Sequence, residues 1–435
     1  MDPTTVIVIS CFVGMLLLLA MKVPVGFGMM IVGTVGFALL RSPEIALLII
    51  PRIIFEQTAN YTLVILPLFM VTGALVMKAD VAPAAFNFAQ RCVGHLRGGV
   101  AMATVVTCAM FGACTGSSLA TSLTIGRLTI PEMKRYGYSD ALSCGTIAAA
   151  GTLGMLIPPS GMMVIYAFLT EQSIIKLFMA GLVPGLLSAL IYVVGIYIYA
   201  LINPGKAGEL AKRFNWNDRL IAMRGTWGIF SLFVIVIGGI YSGLLTVTEA
   251  AGAGTVFAFG LMMLRGNRWA NIQASFVDGA RTTAVLFFLL IGAFVFSLFI
   301  AMSGIAQDLS QFIVSWPLGP TATLVVILLL YIPLGMIIDP TSMLLLTLPI
   351  ILPTVIGLGY DPIWFGIILI KMCELASITP PVGVNVFVIK GIAPHGTQIV
   401  EIFKGVGIFV ILDVITIALL VAFPQIVLWL PNTLH

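Results

Sequence analysis

The chain has 435 residues, of which 60% are hydrophobic and only 9% charged, and its mean hydropathy is +1.14. So few charges cannot cover a globule of this size with polar groups, which excludes a soluble enzyme, a disordered protein and a nucleic-acid binder. The 21 basic and 17 acidic residues leave a net charge of +4 with no basic tract for a phosphate backbone. The chain therefore reads as an integral membrane protein.

The first apolar run, Val6 to Met21, follows Asp2 and precedes Lys22. A cleavable signal wants a positive start, so this run is expected to be a spanning helix with its basic end in the cytoplasm. Further apolar stretches cover 25–40, 61–77, 177–202, 226–245, 249–264, 282–306, 321–338, 363–389 and 405–423. A crossing takes about 20 residues, which predicts roughly ten to twelve crossings. The runs are continuous rather than alternating, so a β-barrel is excluded and the fold class is all-α polytopic. The most polar stretch, 203–224, carries Lys206, Lys212, Arg213, Arg219 and Arg224. It reads as a cytoplasmic linker, with room for an amphipathic helix, near the middle of the chain.

An internal repeat is legible at an offset of 222 residues, since Pro131 matches Pro353. Gly137-Tyr138 with Gly359-Tyr360, Leu153 with Leu375, Pro158-Pro159 with Pro380-Pro381, and Gly161 with Gly383 share that offset. Repeat 1 is expected over about 60–200, with a hairpin over about 99–130 and a broken helix over about 141–170. Repeat 2 is expected over about 282–423, with a hairpin over about 321–353 and a broken helix over about 363–390. Both halves form one transmembrane domain spanning 1–435. Duplicated membrane chains of this kind are commonly transporters with the substrate site between the repeats.

Two elements in each repeat interrupt the helical pattern. Repeat 1 has a run of small and hydroxyl residues around Gly116-Ser117-Ser118, and at the same offset repeat 2 has Asp339-Pro340-Thr341. The flanking apolar pieces are too short to cross alone, which suits a re-entrant hairpin with a polar tip. The second element is the double proline, Pro158-Pro159 and Pro380-Pro381. Consecutive prolines remove two backbone donors and push the preceding residues out of α geometry. The freed carbonyls must then line a wet or protein-filled space. Carbonyls, hydroxyls and one carboxylate suit a hard cation, and half-helix N-termini beside such breaks suit an anion.

Asp339 is the sharpest single residue, because an ionised group in an apolar segment is costly; the plainer reading is a helix cap. Glu249, opening an apolar run, is read equally as a cap or a functional acid. Glu374 lies three residues from Lys371, which predicts a structural ion pair. Arg127, Lys134 and Arg135 read as a basic loop edge. The six cysteines lack CxxC spacing, and His95, His395 and His435 make no metal motif. Gly112 to Gly116 lacks the lysine of a phosphate loop. An intramembrane enzyme would need a nucleophile–base set or a metal cluster that the sequence does not offer, so no enzyme and no cofactor are expected.

With these motifs in order, the chain resembles the large membrane (M) subunit of tripartite ATP-independent periplasmic (TRAP) transporters. The resemblance runs over essentially the whole length. It rests on Gly116-Ser117-Ser118, Ala149 to Gly154 through Pro158-Pro159-Ser160, Thr248-Glu249-Ala250-Ala251, Asp339-Pro340-Thr341, and Ile378 to Gly383 with Asn385. Cys114-Thr115 departs from the smaller lead-in expected before Gly116.

The resemblance implies an inverted-repeat fold with about eleven spanning helices and two re-entrant hairpins, an elevator motion, and sodium as coupling ion. It implies sodium ligands among Ser117, Ser118, Gly151, Gly154, Asp339, Thr341, Ser377, Thr379 and Val382. Substrate contacts are implied for Thr152, Pro158, Pro159, Pro340, Pro380 and Asn385. It further implies a small membrane (Q) subunit, a periplasmic substrate-binding (P) protein, an organic anion as cargo, and the bacterial inner membrane as the location. Sialic acid, C4-dicarboxylates, keto acids and sulfonates all stay open as cargo. The alternative is a stand-alone broken-helix anion carrier that works without a binding protein.

Overall fold

The computed structural model describes residues 3–433, so Asp2 and His435 lie outside the described residues. The described chain is helical almost throughout. Three helices come first: α1 (Pro3–Ala20), α2 (Val25–Leu40) and the proline-capped α3 (Pro43–Thr58). Next are α4 (Ile65–Lys78), the amphipathic α5 (Ala82–Val93), and the pair α6 (Gly99–Thr115) and α7 (Ser118–Arg135). Helix α8 (Asp140–Ala150) runs into a 3-10 turn over Gly151–Met155, and after the double proline α9 (Gly161–Thr170) leads to α10 (Ile174–Ile202).

The linker forms a short turn at Pro204–Lys206 and then α11 (Trp216–Gly225), which bends by 64° into the segment Trp227–Tyr241. That segment comprises α12 (Trp227–Phe233), a π-helical stretch and α13 (Gly239–Tyr241). Arg91 of α5 stacks on Phe214 and donates to the Asp218 carbonyl at 3.1 Å, so the basic linker is strapped to α5.

Two long helices, α14 (Val247–Leu264) and α15 (Trp269–Ser303), and the short α16 (Ile305–Val314) precede the second interrupted region. There α17 (Gly319–Gly335) and α18 (Pro340–Gly357) form a pair, followed by α19 (Pro362–Ile378), the second double proline and α20 (Val384–Lys390). Helices α21 (Ile399–Ala422) and α22 (Gln425–Thr433) close the chain. The order paired helices, single helix, double-proline break, short helix thus occurs twice.

Among the described residues, seven helices are long and apolar enough to cross a membrane, or eight with the bent pair. The expected ten to twelve apolar crossings differ from this count because several runs are divided. The run at 321–338 ends at a hairpin tip and the run at 363–389 is cut by a double proline, leaving helices of fewer than 18 residues.

Small residues set the close packing. At Gly33 of α2, a Cβ would stand 2.8 Å from the backbone of Val295 and Phe296, and at Gly292 of α15 it would meet Gly26 at 2.3 Å. Helices α2 and α15 therefore touch backbone to backbone. Gly405 of α21 meets Ala141 of α8 in the same way.

Glu249 is a cap. Its Oε2 accepts from the Thr246 backbone N–H at 2.8 Å while Thr246 Oγ1 accepts from the Glu249 N–H at 3.3 Å, a capping box opening α14. The expected Lys371–Glu374 pair is present, with Nζ and Oε2 2.7 Å apart and fully buried. Arg127, Lys134 and Arg135 are exposed; Lys134 faces Asp140 at 3.5 Å and Arg135 faces Glu132 at 3.9 Å. The cysteines are all free thiols.

Candidate functional site

Both interrupted regions meet at one cavity of about 160 Å³. At the first hairpin tip, α6 ends on Gly116 with φ +60, a left-handed conformation that glycine adopts without a Cβ penalty. Ser117 then caps α7, its Oγ accepting from the Ala120 N–H at 3.4 Å. At the second tip Asp339 caps α18, its Oδ1 accepting from the Ser342 N–H at 3.1 Å. Ser117 and Asp339, aligned at the 222-residue offset, thus hold the same position, the residue before the second arm of each pair. The capping role read for Asp339 is real, and its carboxylate still lines the cavity.

The tips rest on the breaks. A Cβ on Gly116 would lie 2.8 Å from the Pro159 carbonyl, and one on Gly112 would lie 2.7 Å from the Gly154 Cα. In the second region Gly335 abuts Ala376, which is the residue 222 after Gly154. Cys373 Sγ also donates to the Pro340 carbonyl at 3.8 Å. Each hairpin tip is therefore seated directly on its broken helix.

Of the sequence-predicted residues, Ser117, Ser118, Asp339, Pro340, Thr341, Ser377 and Asn385 line this cavity together. Gly151, Thr152, Gly154, Pro158 and Pro159 are buried behind the first tip rather than in the lining. The Thr152 hydroxyl donates to the Ala149 carbonyl at 2.7 Å, and a Cβ on Gly151 would collide with Ser122 Oγ. Thr379 donates to the Leu375 carbonyl at 2.6 Å. It stands with the exposed Pro380 and Val382 outside the lining. Ser377 Oγ likewise donates back to the Cys373 carbonyl at 2.6 Å. The remaining lone pairs of these hydroxyls are what an ion could use.

Three helices of ten residues or more start at the wall, since Ser118, Gly161 and Pro340 open α7, α9 and α18 and all line it. Helix N-termini carry partial positive charge and unpaired N–H groups, which favours an anion there. The same wall offers the Asp339 carboxylate and the Ser117, Ser118, Thr341 and Ser377 hydroxyls, which favours a cation. An anion and a cation can thus be held side by side.

Asn385 ties the two regions together. Its Nδ2 donates to the Ala148 carbonyl of α8 at 3.2 Å, while its Oδ1 has no partner. Asn385→Ala is expected to destabilise the protein by about 1 kcal/mol, the usual worth of one buried hydrogen bond. A small fall in the detergent melting temperature checks this.

Sequence reasoning missed Met70 of α4 and Thr282 and Leu286 of α15, which close the cavity from outside the hairpins. The one available signal was Thr282-Thr283 at the head of an apolar run. Adjoining cavities of about 310 and 740 Å³ share Ser117 and Thr282, and Asp339, respectively, with the first.

Residues 12–426 match the family model described as "Tripartite ATP-independent periplasmic transporter, DctM component". The chain is 37% identical to the C4-dicarboxylate TRAP transporter large permease protein DctM of Pseudomonas aeruginosa, over 88% of both chains. It is 34% identical to the protein of the same description from Vibrio cholerae, over 94% of this chain and 96% of that one. Among solved structures, it resembles the Neisseria gonorrhoeae MtrF efflux pump with a TM-score of 0.55 at 14% identity. That match covers 86% of this chain and 84% of that one, and is a likeness of fold alone.

Proposed function

The chain belongs to the DctM family of TRAP transporters as a large permease subunit of the inner membrane, and from that premise we propose that it imports an organic anion by sodium symport. The observation that carries this reading is the convergence of both hairpin tips and the second broken helix on one cavity, with a carboxylate and several hydroxyls beside three helix N-termini. Sodium is bound from Ser117, Ser118 and backbone carbonyls of the 151–154 turn on one side. Asp339, Thr341, Ser377 and the carbonyls near Thr379 and Val382 serve on the other. The cargo's carboxylate or sulfonate lies between, facing the N-termini of α7, α9 and α18 and the Asn385 side chain, with Thr152 and the double prolines shaping the floor.

Charge arithmetic explains the coupling. Sodium next to Asp339 compensates the charge of the arriving anion and pins both tips, so a half-loaded site is electrically and sterically unfavourable. The two interrupted regions act as inverted repeats, and their hairpins move with the breaks on which they rest, in an elevator-type motion against the α2–α15 pair. A small Q subunit completes the membrane part, and a soluble periplasmic protein delivers the cargo. Both relatives reported above carry C4-dicarboxylate in their names, which makes a C4-dicarboxylate the first cargo to test.

The test is sodium-gradient uptake in proteoliposomes that hold this chain and its small subunit, with and without the cognate binding protein loaded with a radiolabelled C4-dicarboxylate. Accumulation is expected only when both sodium and the binding protein are present. Equal uptake without the soluble protein would instead mean a stand-alone carrier, and uptake indifferent to sodium would remove the symport.

A further inference from the structure

Away from the cavity lining, three charged side chains are buried together. Lys371 and Glu374 stand on α19 and Asp413 on α21, each with no side-chain exposure. The Lys371 Nζ is 2.7 Å from Glu374 Oε2 and 2.6 Å from Asp413 Oδ1, and it lies 5.4 Å from the centre of the Tyr192 ring on α10. The Tyr192 hydroxyl donates to Asp413 Oδ1 at 2.6 Å. The ammonium has three N–H bonds. Two go to the carboxyl groups, and the aromatic face covers the third side.

This arrangement leaves a deficit in both charge and donors. One cation opposes two carboxyl groups, a formal sum of −1 if both are ionised. Glu374 Oε1 and Asp413 Oδ2 are buried with no hydrogen-bond donor, and the donors of Lys371 and Tyr192 are already used. The other titratable neighbours, Tyr192 and Cys373, bring no positive charge. An uncompensated charge in a low-dielectric interior is unfavourable enough that proteins neutralise it. A metal ion is a poor remedy, because a hard cation takes about six oxygens, whereas only two free ones stand here, beside an ammonium. Asp413 Oδ1 already receives two hydrogen bonds, from Lys371 and Tyr192, whereas Glu374 receives only the one from Lys371.

We propose that this cluster is a proton-binding site that holds one resident proton, carried by Glu374 as a neutral carboxylic acid. The proton makes the cluster neutral and removes one of the two buried charges that Lys371 alone cannot balance. It joins α19, which ends at the second double-proline break, to α10 and α21 without leaving a net charge beside that break. The inference does not depend on the sodium reading.

The test uses the full chain, purified with its small subunit. Infrared spectra are expected to show the C=O band of a buried protonated carboxyl group, and the band is lost in Glu374→Gln. It is also lost in Asp413→Asn, because Glu374 then ionises opposite Lys371. Glu374→Gln keeps uptake and its sodium half-saturation within about twofold, as expected where an amide replaces a group that is already neutral. The Glu374→Gln/Asp413→Asn double variant leaves Lys371 without a counter-charge and lowers assembled, active protein by about tenfold or more. Adding Lys371→Met to that double variant restores assembly. The same infrared spectrum in wild type and Glu374→Gln would overturn the proposal. So would a Glu374→Gln defect as deep as that of the double variant, which would make Glu374 a required carboxylate. A shift of the sodium half-saturation in Glu374→Gln without a band change would assign the site to a metal cation instead.

Discussion

Asp339→Asn is expected to leave the permease folded and assembled but unable to accumulate substrate on a sodium gradient. Two roles of Asp339 make this variant informative. Its Oδ1 caps α18 through the Ser342 N–H at 3.1 Å, and asparagine is about as good a cap as aspartate. The helix therefore keeps its first turn. What the amide removes is the negative charge at the cavity wall. A pair of unit charges about 4 Å apart is worth about 1 kcal/mol in bulk water and about 4 kcal/mol at the effective dielectric of a partly buried site, and each 1.4 kcal/mol is tenfold in affinity. The sodium half-saturation should rise by about 10–100-fold, which removes accumulation at ordinary gradients. Asp339→Ala adds the lost cap, about 1 kcal/mol, and should melt lower than the asparagine variant. Uptake and sodium dependence both unchanged in Asp339→Asn would remove this residue from the ion site.

Gly112→Ala is the second large effect, and here two terms compete. Alanine in a helix interior is favoured over glycine by about 1 kcal/mol. Against that, the new methyl would stand 2.7 Å from the Gly154 Cα and 3.0 Å from its N. Those neighbours are backbone atoms of the 3-10 turn at the first break and cannot rotate away. Overpacking of this kind costs about 1–3 kcal/mol, so the steric term wins, and the first hairpin is pushed off the turn that seats it. The net cost of up to about 2 kcal/mol falls where the site is positioned, so uptake is expected to fall by up to about thirtyfold. Gly407→Ala is the control, because nothing lies within 4 Å of its Cβ position, and it should be neutral or slightly stabilising. Equal activity of the two variants would mean that the contact between hairpin and break does not position the site.

Much of this protein is legible along the chain because the signals are local. Hydropathy alone requires a polytopic helical protein, since an apolar run of about 20 residues has few other fates. The double prolines locate both breaks, because a residue without an N–H and with a fixed φ ends a helix wherever it falls. The Thr246–Glu249 capping box and the Lys371–Glu374 pair are contacts over three residues, within reach of sequence spacing. The 222-residue offset set Ser117 against Asp339, and both turn out to cap the helix after a hairpin tip.

What the tertiary structure decided depends on contacts between distant segments, which spacing does not encode. It selected Ser117, Ser118, Asp339, Pro340, Thr341, Ser377 and Asn385 for one cavity and left Pro380 and Val382 exposed beside it. It brought α4 and α15 in to supply Met70, Thr282 and Leu286. It also placed Asp413 against Lys371, 42 residues earlier in the chain, at 2.6 Å. A lone acid in an apolar run marks itself as costly, but its partner is named only when α19 and α21 pack together. The local chemistry of caps, prolines and apolar runs was set by the sequence alone, whereas the choice of which groups share a buried space was made by close helix packing through Gly26, Gly33, Gly112, Gly154, Gly292 and Gly405.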